Sequence, residues 1–202
     1  MTKLKYLAAL IAVCSAVTAG CSSGSRSNTS DSSTPAVSSG QEVHQNDLAQ
    51  QEQNVSAGET AQEHNSTIYT LNSVASVVNS EGDGKRYIYL NVTVTNPSSE
   101  SYELNALNNF FILLADGTEI PFDIPTQIYA ANNLKGYNDS PFTVPAGDTF
   151  TGYIGGFILD PDVTDFTVCF FPTGASSSDK SVIVKTEVSA ADILDSPADL
   201  IG

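Results

Sequence analysis

Tyr87-Ile88-Tyr89-Leu90-Asn91-Val92-Thr93-Val94-Thr95 decides the fold of this chain. Ile88, Leu90, Val92 and Val94 fall on one face; Tyr87, Tyr89, Asn91, Thr93 and Thr95 fall on the other. Strict alternation of β-branched and aromatic residues is the pattern of a strand with one face buried. Asn96-Pro97-Ser98-Ser99 ends it, because Pro97 has no N–H for the ladder and Asn and Ser favour turns.

Working outward, Thr67 to Val78 reads as a preceding strand, joined through Glu81-Gly82-Asp83-Gly84. Asn109 to Leu114 is apolar on both faces, which suits a central strand, and Asp116-Gly117 behind it is a hairpin signal because both residues accept positive φ. Thr118 to Phe122 returns. Val144-Pro145-Ala146-Gly147-Asp148 turns the chain into a long strand, Thr149 to Leu159, that a bulge or bend at Gly155-Gly156 interrupts. Asp160-Pro161-Asp162 turns it again. Phe166, Val168 and Phe170 then line one face of a strand, and Val182, Val184 and Thr186 do so in the last. Residues 190–202 are left as a tail with at most one helical turn at Ala190 to Leu194. With no helix of any length and no βα alternation, this spacing predicts an all-β fold: an antiparallel β-sandwich of about seven to nine strands over residues 67–189.

The aliphatic strand closing on Asn96, then Phe110-x-Ile112 leading to Asp116-Gly117, then Pro145-Ala146-Gly147-Asp148-Thr149, Gly152-Tyr153, Phe157 and Phe166-x-Val168, appear in a definite order. Over roughly residues 68–172 this order resembles a bacterial immunoglobulin-like domain of unknown function, common in lipoproteins of Gram-positive bacteria. The chain departs from the pattern at Pro125 to Ser140, which is longer and more polar, and in the last strand and tail. The resemblance implies an immunoglobulin-like sandwich in an extracellular location, and it implies no reaction.

The N-terminal side says where the protein is expected to live. Lys3 and Lys5 precede the apolar run Tyr6 to Val13, and Val17-Thr18-Ala19-Gly20-Cys21 follows. A basic head, a short apolar middle and small residues before a cut site make a secretory signal peptide over residues 1–20. The run is short of the roughly 20 apolar residues that a bilayer span needs. Ala19-Gly20-Cys21 resembles a bacterial lipobox, which implies acylation of Cys21, palmitate among the acyl groups, and anchoring to the outer face of the cell membrane. Residues 21–66 are Ser, Gly, Thr and Asn in one half and Gln and Glu in the other, with too few apolar groups to fold. They are expected to be a disordered tether.

The chain of 202 residues carries 23 acidic against 8 basic residues, a formal charge of −15. Nucleic acid and anionic polymers are repelled by such a chain. Of three cysteines, Cys14 leaves with the signal and Cys21 takes lipid, so Cys169 is alone and no internal disulfide forms. Its aromatic strand contains no His or Lys to activate it, which suits a packed thiol.

Catalytic constellations are missing from the pattern. His44 and His64 are the only histidines and both fall in the tether, where no rigid shell holds a base or a ligand. Ser-His-Asp, Cys-His and zinc schemes therefore fail, and no enzyme, cofactor or metal site is expected. Asp160-x-Asp162-x-x-Asp165 offers oxygens to Ca²⁺, but the plainer alternative is a Pro-stiffened turn whose carboxylates accept backbone N–H bonds. Gly152, Gly155 and Gly156 lie within a strand and make no phosphate cradle. The best candidate for a binding surface is the stretch Ile124 to Phe142, expected as a long loop in which Tyr129, Asn132, Asn133 and Tyr137 mix aromatic faces with amides. The alternative is that Tyr129, Leu134 and Tyr137 pack over an open sheet end. The exposed strand face with Tyr87, Tyr89, Thr93 and Thr95 is a second candidate. The expected role is non-catalytic binding of a protein or envelope component, with a structural or accessory part in a membrane complex as the competing role.

Overall fold

The computed structural model describes residues 51–61, 67–78, 84–174 and 178–202. The expected signal peptide, Cys21, His44, His64 and most of the expected tether lie outside the described residues.

The strands are β1 (Gln51–Ser56), β2 (Ile68–Val78), β3 (Arg86–Thr95), β4 (Tyr102–Leu104), β5 (Phe110–Leu113), β6 (Glu119–Ile120), β7 (Phe142–Val144), β8 (Thr149–Leu159), β9 (Phe166–Phe170), β10 (Val182–Val188) and β11 (Ile193–Asp195). Helix α1 (Ala106–Asn109) precedes β5 and α2 (Ile124–Asn133) follows β6. One sheet runs β1-β10-β9-β5-β6, a second runs β11-β2-β3-β8, and β4 pairs with β7. The protein is a β-sandwich, as the alternation at residues 87–95 predicts. Among the described residues seven strands have four residues or more, and the short β4, β6, β7 and β11 bring the total to eleven.

The main core lies between the two large sheets. Ile88, Leu90, Val92 and Val94 of β3 are fully buried there, facing Ile112, Val168, Phe170 and Val184 of the other sheet. Each such side chain contributes on the order of 1.5–3 kcal/mol. Tyr69 packs against Phe170 at 4.5 Å, and Phe170 stacks on Phe110 at 4.7 Å. The hairpin at Asp116-Gly117 forms between β5 and β6, with Gly117 at φ 87° and the Thr118 N–H donating to Asp116 Oδ1 at 2.9 Å. Asn96 is a buried corner staple: Nδ2 donates to the carbonyls of Glu100 and Val144 at 2.7 and 3.1 Å, and Oδ1 accepts the Ser98 N–H. Those bonds explain why an asparagine closes the aliphatic strand, since it satisfies backbone groups of two neighbouring turns.

Four expectations are corrected. First, the tether does not run to residue 66. β1 lies inside that stretch and pairs in parallel with β10, from Gln51↔Val182 to Ser56↔Glu187. Only Val55 of its six residues is apolar, so backbone bonds and the Lys185–Glu52 ion pair at 2.7 Å, rather than hydrophobic patterning, hold it. Second, the sheets are mixed rather than antiparallel, because β11 also pairs in parallel, with β2. Third, residues 190–202 are part of the fold: a 3₁₀ turn at Ala190–Asp192 leads into β11, and Leu200 is fully buried. A single anchoring leucine leaves no periodic signal. Fourth, Ile124 to Phe142 is not a loop but opens with the ten-residue helix α2.

That helix creates a second core on the outer side of the four-stranded sheet. Ala75, Val77, Tyr89, Tyr153, Ala130 and Leu200 are buried together there, with Tyr87, Tyr129, Leu134, Tyr137 and Ile201 half-buried around them. The Gly155-Gly156 pair permits it. Gly155 sits at φ 87° where the β3–β8 register shifts between Ile88 and Leu90. A side chain at Gly156 would stand 3.1 Å from the Gln127 backbone nitrogen, and its carbonyl accepts the Asp123 N–H at 2.8 Å. The start of α2 thus rests directly on the bend in β8.

Candidate functional site

The candidate residues belong to α2 and the segment after it. Asp123 caps the helix, its Oδ2 accepting the Thr126 N–H at 2.8 Å and the Thr126 hydroxyl at 2.6 Å, and Pro125 occupies the first turn. Asp123-x-Pro125-Thr126 is a helix-start signal that the polar texture of the stretch hides. Thr126 and Ala130 face the sheet and are buried.

The four residues part company. Tyr129 meets Tyr87 edge-on at 5.2 Å, and Tyr137 meets Tyr89 edge-on at 5.6 Å. The Tyr137 hydroxyl donates to the Gly155 carbonyl at 2.6 Å, and that of Tyr89 to the Thr126 carbonyl at 3.1 Å. Burial pushes both phenols well above the ordinary tyrosine range. Tyr129 and Tyr137 therefore help to seal the second core, the packing alternative. Asn132 and Asn133 lie on the outer side of the helix and are exposed. Their Nδ2 groups donate back to the carbonyls of Ile128 and Tyr129, both at 2.8 Å.

A feature that sequence reading missed adjoins them. Ile124 and Ile128 are 55% and 56% exposed. They stand one turn apart on the outer side of α2, and Asn132 continues the same stripe. Two exposed isoleucines at i and i+4, next to two amides and the rim of Tyr129, form a small apolar surface with polar borders.

The second candidate, the outward face of β3, splits in two. Tyr87 and Tyr89 are covered, and Thr93 and Thr95 stay on a bare, uncharged surface. There Thr93 bonds Thr151 at 3.0 Å and Thr95 bonds Thr149 at 2.9 Å. Asn72 Nδ2 donates to Asn91 Oδ1 and Thr93 Oγ1, both at 3.0 Å.

The remaining chemistry-bearing groups are dispersed. Asp160 pairs with Lys85 at 3.6 Å, its carbonyl accepts the Val163 N–H at 3.1 Å, and Asp165 accepts the Thr164 hydroxyl at 2.8 Å. Among the described residues no three His, Cys, Asp or Glu side chains gather as a metal site. Cys169 is fully buried between Phe111 and Lys185 of the neighbouring strands, and burial pushes its thiol up to about 12. An open groove of about 460 Å³ lies where β1, β5, β9 and β10 end, with Leu113, Ala115, Phe166 and Val188 beside Asp165 and Glu187.

Comparison with solved structures finds distant likenesses. The yjhA protein of Bacillus subtilis is 16% identical, with 69% of this chain and 99% of that one covered, at a TM-score of 0.47. The ycdA protein of Bacillus subtilis, designated a candidate lipoprotein, is 15% identical over 65% of this chain, at a TM-score of 0.45; the match spans only 38% of that protein's structure. An uncharacterized β-sandwich protein of Clostridium difficile 630 is 14% identical, with 68% and 95% covered and a TM-score of 0.39. Among curated proteins none matches. Residues 50–182 match the family described as domain of unknown function DUF4352, a span that runs from β1 to the first residue of β10. The chain belongs to the DUF4352 family.

Proposed function

We propose that the chain is a lipid-anchored extracellular lipoprotein whose β-sandwich is a non-catalytic binding module for a protein or envelope partner. Residues 3–21 support the anchor, with the acyl groups on Cys21 holding the strongly acidic protein to the membrane. No helix among the described residues is long and apolar enough to cross a membrane. The buried, proton-retaining Cys169 thiol speaks for binding rather than catalysis.

The observation that carries the binding reading is the exposed Ile124–Ile128 stripe beside Asn132 and Asn133. Large aliphatic side chains left in water one turn apart, with amides beside them, suit a partner that supplies an apolar contact and a polar rim. Two measurements test the reading. Cys21→Ala should move the protein from the membrane to the soluble fraction or block signal cleavage; unchanged detergent partitioning and acyl labelling would refute the anchor. Ile128→Asp should weaken retention of the partner from solubilised native envelope at least tenfold while the melting temperature holds; unchanged retention would refute the surface.

A further inference from the structure

Residues 197–201 form a turn packed against the outer side of the four-stranded sheet. Leu200 is fully buried in a socket formed with Ala75, Val77, Tyr89, Ala130 and Tyr153. The residue before it is held too: the Tyr153 hydroxyl donates to Asp199 Oδ1 at 3.3 Å. Gly136, at φ 74°, lets the Asp199 backbone approach, since a side chain there would stand 2.8 Å from the Asp199 carbonyl oxygen. The segment is a closed turn in itself, with Leu200 N–H and Ile201 N–H both donating to the Pro197 carbonyl, at 3.0 and 2.8 Å.

Its link to the sandwich is one strained residue. Ser196 stands at φ 48°, the only non-glycine with positive φ among the described residues. Proline pushes the residue before it toward extended backbone, and Pro197 follows Ser196 directly. Release of the turn relaxes Ser196, and seating it strains Ser196, so the cis occupant is held less tightly than its contacts alone would hold it.

We propose that the socket is a peptide-binding site, that it takes an acidic residue followed by leucine from a protein partner, and that residues 197–201 fill it in cis as a built-in competitor. Leucine fills the aliphatic and aromatic pocket, the carboxylate accepts from Tyr153, and the glycine at 136 admits the peptide backbone. The site lies under α2 and next to Tyr137, so it deepens the binding-module reading and rests on it.

The test uses the full-length chain and a fluorescent peptide with the sequence of residues 196–202, followed by anisotropy. Leu200→Ala empties the socket, and the peptide should bind this variant at least tenfold more tightly than it binds the native chain. Asp199→Ala loosens the cis turn without removing a buried side chain, and it should also raise peptide affinity. Ser196→Gly relieves the hinge and should lower affinity below native. A peptide with Ala in place of its Leu should not bind any of them. Equal affinity for native chain and Leu200→Ala, or no binding to either variant while thermal melting shows them folded, would overturn the socket and leave the Ile124–Ile128 surface standing. Concentration-dependent self-association of the native chain, measured by light scattering, would overturn the assignment to a different protein and make the partner a second copy.

Discussion

Along its outward face β3 carries Tyr87 and Tyr89 and then Asn91, Thr93 and Thr95, and the molecule treats these two halves of one surface differently. The tyrosine half is roofed by α2 and by the segment ending at Leu200, so the sheet is buried on both sides there. The threonine half faces water, and its hydroxyls pair across strands with Thr149 and Thr151. β3 pairs with β2 and β8 through both halves, with one register shift in each ladder, so the difference comes mainly from side chains. Aromatic rings at alternate positions offer area worth covering, and threonines offer little apolar area and are satisfied by one another and by solvent. The ladder alone therefore does not recruit a third layer. Rings do, given a bend in β8 that lets a helix approach.

Substitutions that rank the two halves can break or sharpen this contrast. Tyr89→Ala should have the largest effect, a loss of about 3–5 kcal/mol, because a fully buried ring leaves a cavity against α2; denaturant titration checks it, and a loss under about 1 kcal/mol would mean the roof adds little. Leu200→Ala should follow at about 2–5 kcal/mol, with the main core intact; a loss confined to the noise of calorimetry would detach the segment from the fold. Tyr137→Phe should cost about 1 kcal/mol through the lost bond to the Gly155 carbonyl. Thr93→Val should stay within about 0.5 kcal/mol. If Thr93→Val matched Leu200→Ala, the two halves would be equally structural and the contrast would fail.

Alkaline pH offers an independent route. Burial raises Tyr89 and Tyr137 in the covered half, and raises Tyr102 from 10.0 and Cys169 from 9.0 to about 12 in the sandwich. The unfolded chain loses these protons first, so it binds fewer of them than the folded chain, and stability falls as pH rises. Stability should be level below about pH 9 and decline from there toward pH 12. Tyr137→Phe should flatten part of that decline. Thr93→Val should leave it unchanged, since the bare half contains no phenol. A pH-independent melting temperature up to pH 12 would contradict the burial of these groups.

The sandwich itself was legible in the sequence where hydrophobic alternation sets it: residues 87–95, 110–113, 166–170 and 182–188 all form strands near where the pattern places them. Asp116-Gly117 and Gly155-Gly156 were legible as a hairpin and a bend because glycine marks positive φ there. What stayed hidden was held by other means. β1 is polar and is fixed by a partner strand over 100 residues away in sequence, which no local pattern encodes. β11 is held by parallel pairing with β2, and the segment after it by one buried side chain, Leu200. Helix α2 has a cap and a proline at its start, but its inward face is Thr126 and Ala130, too small to give an apolar stripe. Of the candidate site, the aromatic and amide composition located the right segment, but not the division of labour that sends Tyr129 and Tyr137 inward and leaves Asn132, Asn133 and the two isoleucines outside.

Hydroxyl-radical footprinting of the full-length native protein, read by mass spectrometry, tests the roofed half most directly. Ile124, Ile128 and Leu194, at 55%, 56% and 44% exposure, should be labelled readily, and Tyr89 and Tyr153 should be protected nearly as strongly as Phe170 in the main core. Labelling of Tyr89 and Tyr153 at the rate of the unfolded chain, with Phe170 still protected, would show a two-layer sandwich with no second core and would contradict the account.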